Sequence, residues 1–160
     1  MKVLPVPPVI SQLWAKLPDG KFDPASQSDC GEACLSSALI AIRDVELSPG
    51  CIRQALKLPE SGGWSNGEQL ADLSSRLGMT AHAQSVGWEV LWGDLGYLRH
   101  YGRYCLMLGD WLESGVGHWV LAYERSATEV HVMGPYDAIL TSYTREWLQG
   151  HLLASQVLLS

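Results

Sequence analysis

The apolar residues of this chain change period once, near Gly78. Before it they recur at helical spacing, as in Ala33, Cys34, Ala38, Ala41 and Ile42, and again in Leu70, Leu73 and Leu77. After it short apolar runs alternate or fill completely, as strands do: "MTAHAQ" (79–84), "YCLMLG" (104–109), "HWVLAYE" (118–124) and "EVHVMG" (129–134). A helix buries one stripe and a strand one face, so the two halves must cover each other. Helices first and a mostly antiparallel sheet second is an α+β order.

The punctuation agrees with the periods. Asp29 and Glu32 have capping-box spacing, which predicts a helix starting at Cys30. Ser48 followed by Pro49 predicts the start of a second helix in "LSPGCIRQAL". Ser65 and Glu68 predict the start of a third, and Gly78 its end. "WEVLWGDLGYLRHY" (88–101) reads as helical with a break near Gly93 or Gly96. The segment "RSAT" joins a hairpin, "SYTREWL" gives a last short helix, and "LASQVLLS" a closing strand. Five of the eight prolines lie in residues 1–25, which predicts an irregular arm, with one domain over residues 26–160. Inward positions of the periodic segments place Cys34, Leu39, Leu73, Leu77, Leu106, Val120 and Val132 in one core between the first helix and the sheet.

Composition removes several classes of function. With 160 residues the chain can bury a full core. A net charge of −6 argues against nucleic acid as partner. No apolar run approaches the roughly 20 residues of a membrane span. The start, "MKVLPVPPVISQLW", lacks the apolar stretch and small-residue cleavage site of a signal peptide, so a cytoplasmic location is expected. Four irregularly spaced cysteines form no disulfide framework, and no Cys-x-x-Cys or His-x-x-x-His pair offers a zinc site. No metal or other cofactor is expected.

The chemistry concentrates in "SDCGEACLSSAL" (28–39). If Asp29 caps the helix, Cys30 is its first residue. The free N–H groups and the dipole there favour thiolate, so its pKa should fall. A nucleophilic thiol needs a base, and a histidine supplies one near neutral pH. Of the five histidines, His118 opens an apolar strand directly after the glycine-rich "SGVG". His82 and His131 lie within strands, and His100 and His151 at polar helix ends. From the residues alone, Cys30 reads either as a nucleophile or as a small buried core residue. Cys34, one turn on, reads as packing.

The ordered set "DCGEACLSSAL", "SNGEQLADLSSRLGM", "YCLML", "GHWVLAYE", "EVHVMGPYD" and "SYTREWL" resembles the papain-like cysteine peptidases that process double-glycine bacteriocin leaders. It spans about residues 27–158. The resemblance implies a papain-like α+β fold with Cys30 as nucleophile and His118 as base. Two positions depart from the family. The residue before the proline that orients the histidine is Gly134 here, and Asp137, three residues on, is the available carboxylate. The oxyanion glutamine six residues before the cysteine is replaced by Pro24, which leaves Gln27 as the nearby amide. Trp64, Trp119 and Trp88 are candidates for lining a substrate groove. The implied function is hydrolysis of a peptide bond in a peptide or protein substrate, by a free-standing domain, with peptidoglycan cross-bridges as another substrate class. The two departures equally suit a catalytically impaired domain that binds a peptide or protein.

Overall fold

The computed structural model describes residues 2–14, 16–21, 25–59 and 63–160. Five α-helices and six strands follow in the order α1 (Cys30–Arg43), α2 (Pro49–Ala55), α3 (Gly67–Arg76), β1 (Ala81–Gln84), α4 (Trp88–Asp94), β2 (Tyr104–Gly109), β3 (His118–Arg125), β4 (Glu129–Gly134), β5 (Ile139–Thr144), α5 (Arg145–His151) and β6 (Leu152–Leu159). The strands form one sheet in the order β1-β6-β2-β3-β4-β5, every neighbouring pair antiparallel. This is the α+β arrangement the change of period implies.

The sheet is covered on both faces, and the pleat decides which residue goes where. In β3, Trp119, Leu121 and Tyr123 point toward α1, α2 and α3, where Cys34, Leu35, Leu39, Ile52, Leu70 and Leu73 meet them. Val120 and Ala122 point the other way, onto Leu91, Trp92 and Leu95 of the α4 region and Leu148 of α5. The single core expected for Val120, Val132 and Leu39 is therefore wrong. Val120 and Val132 belong to the second layer, because adjacent strand residues alternate faces and Leu121 and Met133 take the positions toward α1. Leu106 and Leu121 are register partners, so one layer runs continuously across β2 and β3.

Local signals locate most helix ends, with two shifts. The Ser48 hydroxyl accepts from Cys51 N ahead of Pro49, as expected. The third helix is capped one residue later than Ser65: Asn66 accepts from Gln69 N, and the Gln69 side chain accepts from Asn66 N, a complete capping box. Gly78 follows with φ of +86°, a conformation that glycine adopts without strain. The segment 88–101 is a seven-residue helix followed by a separate 3-10 turn, Arg99–Tyr101. Residues 142–144, expected in the last helix, instead complete β5, and Thr144 caps α5 by accepting from Trp147 N.

The described part of the N-terminal segment is tied down at several points. Leu4 is buried in the layer beside α1. Tyr104 donates to the Pro5 carbonyl and Ser37 to the Pro8 carbonyl. Gln12, in a 3-10 turn (Gln12–Trp14), is fully buried, and its N–H donates to the Pro135 carbonyl. Among the described residues no helix is long and apolar enough to cross a membrane.

Candidate active site

Cys30 is the first residue of α1, and the helix packs against the start of β3. The two cysteines of α1 straddle one residue of β3, Trp119. Trp119 N–H points at Cys30 Sγ at 3.5 Å, and Cys34 Sγ–H points at Trp119 O at 3.6 Å. His118 is the residue immediately before Trp119 at the start of β3. Gly31 permits this approach: a Cβ there would lie 2.6 Å from Ser65 Oγ and 3.0 Å from the Trp119 ring. A third tie, Trp119 Nε1–H to the Ser65 carbonyl at 3.1 Å, holds the loop before α3 to the same point.

The expected cap at Asp29 is not formed by its side chain, and the expected thiolate is not favoured either. Asp29 is buried, and its carboxylate accepts from Arg53 of α2 at 3.0 Å rather than from the first-turn N–H groups. Cys30 is 1 % exposed. Burial pushes its thiol up to about 11; Trp119 N–H pulls the other way, and the Glu32 charge adds to the rise. Desolvation disfavours the charged form more than the helix start stabilises it. Cys34 is fully buried, its thiol well above the usual range for the same reason.

His118 is half-buried at the edge of a cavity of about 20 Å³ lined also by Gln12, Trp111, Gly134, Tyr136 and Asp137. Its carbonyl accepts from Trp111 Nε1 at 2.7 Å, which fixes the backbone at the strand start. The inner ring nitrogen, Nδ1, is buried and makes no hydrogen bond among the described residues. Burial lowers the pKa of the ring below its usual value, with the carboxylates of Asp110 and Asp137 opposing that shift. Burial thus favours the protonated thiol at Cys30 and the neutral ring at His118.

Asp137 lines the His118 cavity from the turn after β4, exposed, without a hydrogen bond to the ring among the described residues. At Gly134 an added Cβ would meet only ordinary contacts, the nearest being Ile139 O at 3.8 Å. Pro24 lies outside the described residues. Gln27 exposes its side chain, and its carbonyl accepts from Gln12 Nε2 at 2.9 Å. Gln12 is the site residue that sequence reading missed. It lies 18 positions before Cys30, and only the path of the N-terminal segment shows that it returns to the site.

A groove of about 680 Å³ runs from Trp64, Ser65 and Gly67 to Val116, Gly117, Trp119 and Leu153. Its lining includes Ser65 and Trp119, two of the three side chains that crowd Gly31, the residue after Cys30; Leu70 is the third. Trp64 is 57 % exposed on its wall. Trp88 lies elsewhere, against Trp92 on the opposite layer. The other histidines are outside the site: His100 meets Glu124, His131 packs on Tyr123, and His151 stacks on Trp147. His82 is exposed. No group of three or more metal-ligating side chains occurs among the described residues.

The fold is that of papain-like C39 peptidase domains. The peptidase domain of Streptococcus ComA, a bifunctional ABC transporter involved in quorum sensing, superposes with a TM-score of 0.66 at 16 % identity, over 92 % of this chain and 98 % of that one. A double-glycine-motif protease from an AMS/PCAT transporter, solved with its leader peptide, matches at TM-score 0.66 and 14 % identity, over 97 % and 98 % of the two chains. The C39-like domain of a toxin-secretion ATP-binding protein from Vibrio parahaemolyticus matches at 0.56 and 12 %, over 88 % and 98 %. No family model matches the sequence, and no curated protein does.

Proposed function

We propose that the chain is a cysteine peptidase that cuts a peptide bond with Cys30 and His118. The observation that carries this reading is the Trp119 N–H on Cys30 Sγ, a contact between a thiol at a helix start and the residue that follows His118. The reaction begins from the neutral pair. His118 takes the thiol proton through Nδ1 as Sγ adds to the substrate carbonyl, and the tetrahedral oxyanion faces the Cys30 N–H at the start of α1. The imidazolium then gives the proton to the departing amine nitrogen, leaving a thioester on Cys30. Water, deprotonated by His118, attacks the thioester, and the proton returns to the released thiol.

Asp137 orients and charge-balances the ring from its outer side, at longer range than a hydrogen-bonded carboxylate at position 134 would. The Gln12 amide donates to the Ser26 and Gln27 carbonyls, so the oxyanion amide comes from Gln27, whose side chain is exposed. The groove beside Trp64 and Trp119 receives an extended peptide. Its apolar wall and the glycines Gly67 and Gly117 suit a chain with small residues next to the scissile bond. A double-glycine motif, named for one structural neighbour, is the first sequence to try.

The test is hydrolysis of a coumarin amide of Leu-Gly-Gly. Turnover by the parent that vanishes in both Cys30→Ala and His118→Ala supports the reading. Two observations favour a binding module instead: the thiol is buried and held protonated, and position 134 carries no carboxylate. Binding of the peptide without Cys30-dependent turnover would decide for that alternative.

A further inference from the structure

The peptide unit that joins His118 to Trp119 is held at both ends. Its N–H, on Trp119, points at Cys30 Sγ at 3.5 Å, and its carbonyl, on His118, accepts from Trp111 Nε1 at 2.7 Å. Cys30 packs in the layer of α1 to α3, and Trp111 in the layer of α4 and α5. A trans peptide is planar, with its carbonyl and its N–H aimed in opposite directions. Whatever fixes one end therefore fixes the aim of the other.

The indole is itself built in. Gly109 is the register partner of His118, and a Cβ there would lie 2.9 Å from the Trp111 ring, so the glycine lets the ring lie close against this pair. The ring stacks on Trp147 with centroids 5.7 Å apart and meets Tyr143 at 5.0 Å. At the sulfur, burial raises the Cys30 pKa, and Trp119 N–H is the strongest of the groups that lower it, ahead of the Gly31 and Cys30 N–H groups; the Glu32 charge adds to the rise. Hydrogen bonds in a chain polarise one another, so an N–H whose peptide carbonyl is itself bonded is the better donor.

We propose that Trp111 is a positioning residue of the Cys30 site: through its hydrogen bond to the His118 carbonyl it aims and polarises the Trp119 N–H that faces the nucleophile's sulfur. Trp111 lines the His118 cavity and not the groove, so it acts on the reactivity of the thiol rather than on the hold on substrate. The inference rests on the peptidase reading for its purpose. Its first measurement does not, because alkylation reports on Cys30 whether or not the chain cuts peptides.

The experiment follows Cys30 alkylation by iodoacetamide in the whole chain at about pH 9, where the rate follows the thiolate fraction. The rate is mapped by mass spectrometry and divided by that of Cys51 of α2 in the same sample. Trp111→Phe keeps an aromatic ring and removes the N–H, and the relative rate should fall about three- to tenfold, the size of a single lost hydrogen bond. If that variant does not fold, benzothienylalanine at position 111 keeps the bicyclic shape with sulfur in place of the N–H and should give the same fall. A ring that only packs would act the other way, because its loss loosens the site and speeds alkylation of a buried thiol. A relative rate within about twofold of the parent, or a faster one, overturns the proposal. For the Leu-Gly-Gly coumarin amide, kcat should fall by a similar factor with KM within about twofold of the parent, and a raised KM at parental kcat overturns the proposal as well. Loss of the peptidase reading looks different: the alkylation shift persists and the parent shows no Cys30-dependent hydrolysis.

Discussion

Cys30, which touches the residue after His118, and His118 itself lie in opposite surroundings. The thiol is at the dry end of a helix, 1 % exposed, with α1, β3 and the loop before α3 closed around it. The imidazole opens a strand at the rim of a small cavity lined mainly by apolar and aromatic residues, with Asp110 and Asp137 within electrostatic reach. Burial acts on both and moves them apart in pKa, raising the acid and lowering the base. The comparison teaches that a helix start does not by itself make a thiolate. Its dipole and N–H groups contribute about one kilocalorie per mole, less than the cost of taking a charge out of water.

The sharpest way to break the comparison is to remove its polar side. His118→Ala should lower kcat/KM by about 10²–10⁴-fold, the range of a lost general base, with the fold intact by circular dichroism. A smaller loss would mean that another group takes the proton. The orienting carboxylate comes next. Asp137→Asn should reduce kcat by about tenfold, while Gly134→Asp, for which the backbone leaves room, should raise it by a similar factor. An unchanged kcat in both would show that His118 needs no orientation from that side.

The pH profile tests the protonation states directly. His118 must be neutral to accept the thiol proton, and its pKa lies below the ordinary 6.5. The acid limb of kcat/KM should therefore have its midpoint below 6.5 and not above it, with no alkaline limb from Cys30 until about pH 11. A preformed thiolate would instead keep activity well into the acid range. The smallest expected effect is Trp64→Ala. It removes an exposed wall of the groove and should raise KM about two- to fivefold with kcat nearly constant, a loss of uniform binding.

Much of this was legible in the order of residues. Period and punctuation predict α1 from Cys30, α2 behind Ser48 and Pro49, the end of α3 at Gly78, and the β3–β4 hairpin, because those signals act within a few residues of chain. Where two local signals compete, reading fails by a residue: Ser65 and Asn66 can both cap α3, and Asn66 has the matching Gln69. The face taken by Val120 and Leu121 was not legible, since alternation gives the period and not the phase.

By itself the sequence determined the α+β order, the placement of Cys30 at a helix start and of His118 at a strand start, and the lack of a carboxylate at position 134. Tertiary structure alone decided the rest. It placed Trp119 N–H on the sulfur, turned Asp29 from a cap into the partner of Arg53, and returned Gln12 from 18 residues upstream to the wall of the site. It also decided the ionisation of the pair. The physical reason is that pKa depends on what surrounds a group in three dimensions, and water is excluded from Cys30 by residues as far along the chain as Trp119.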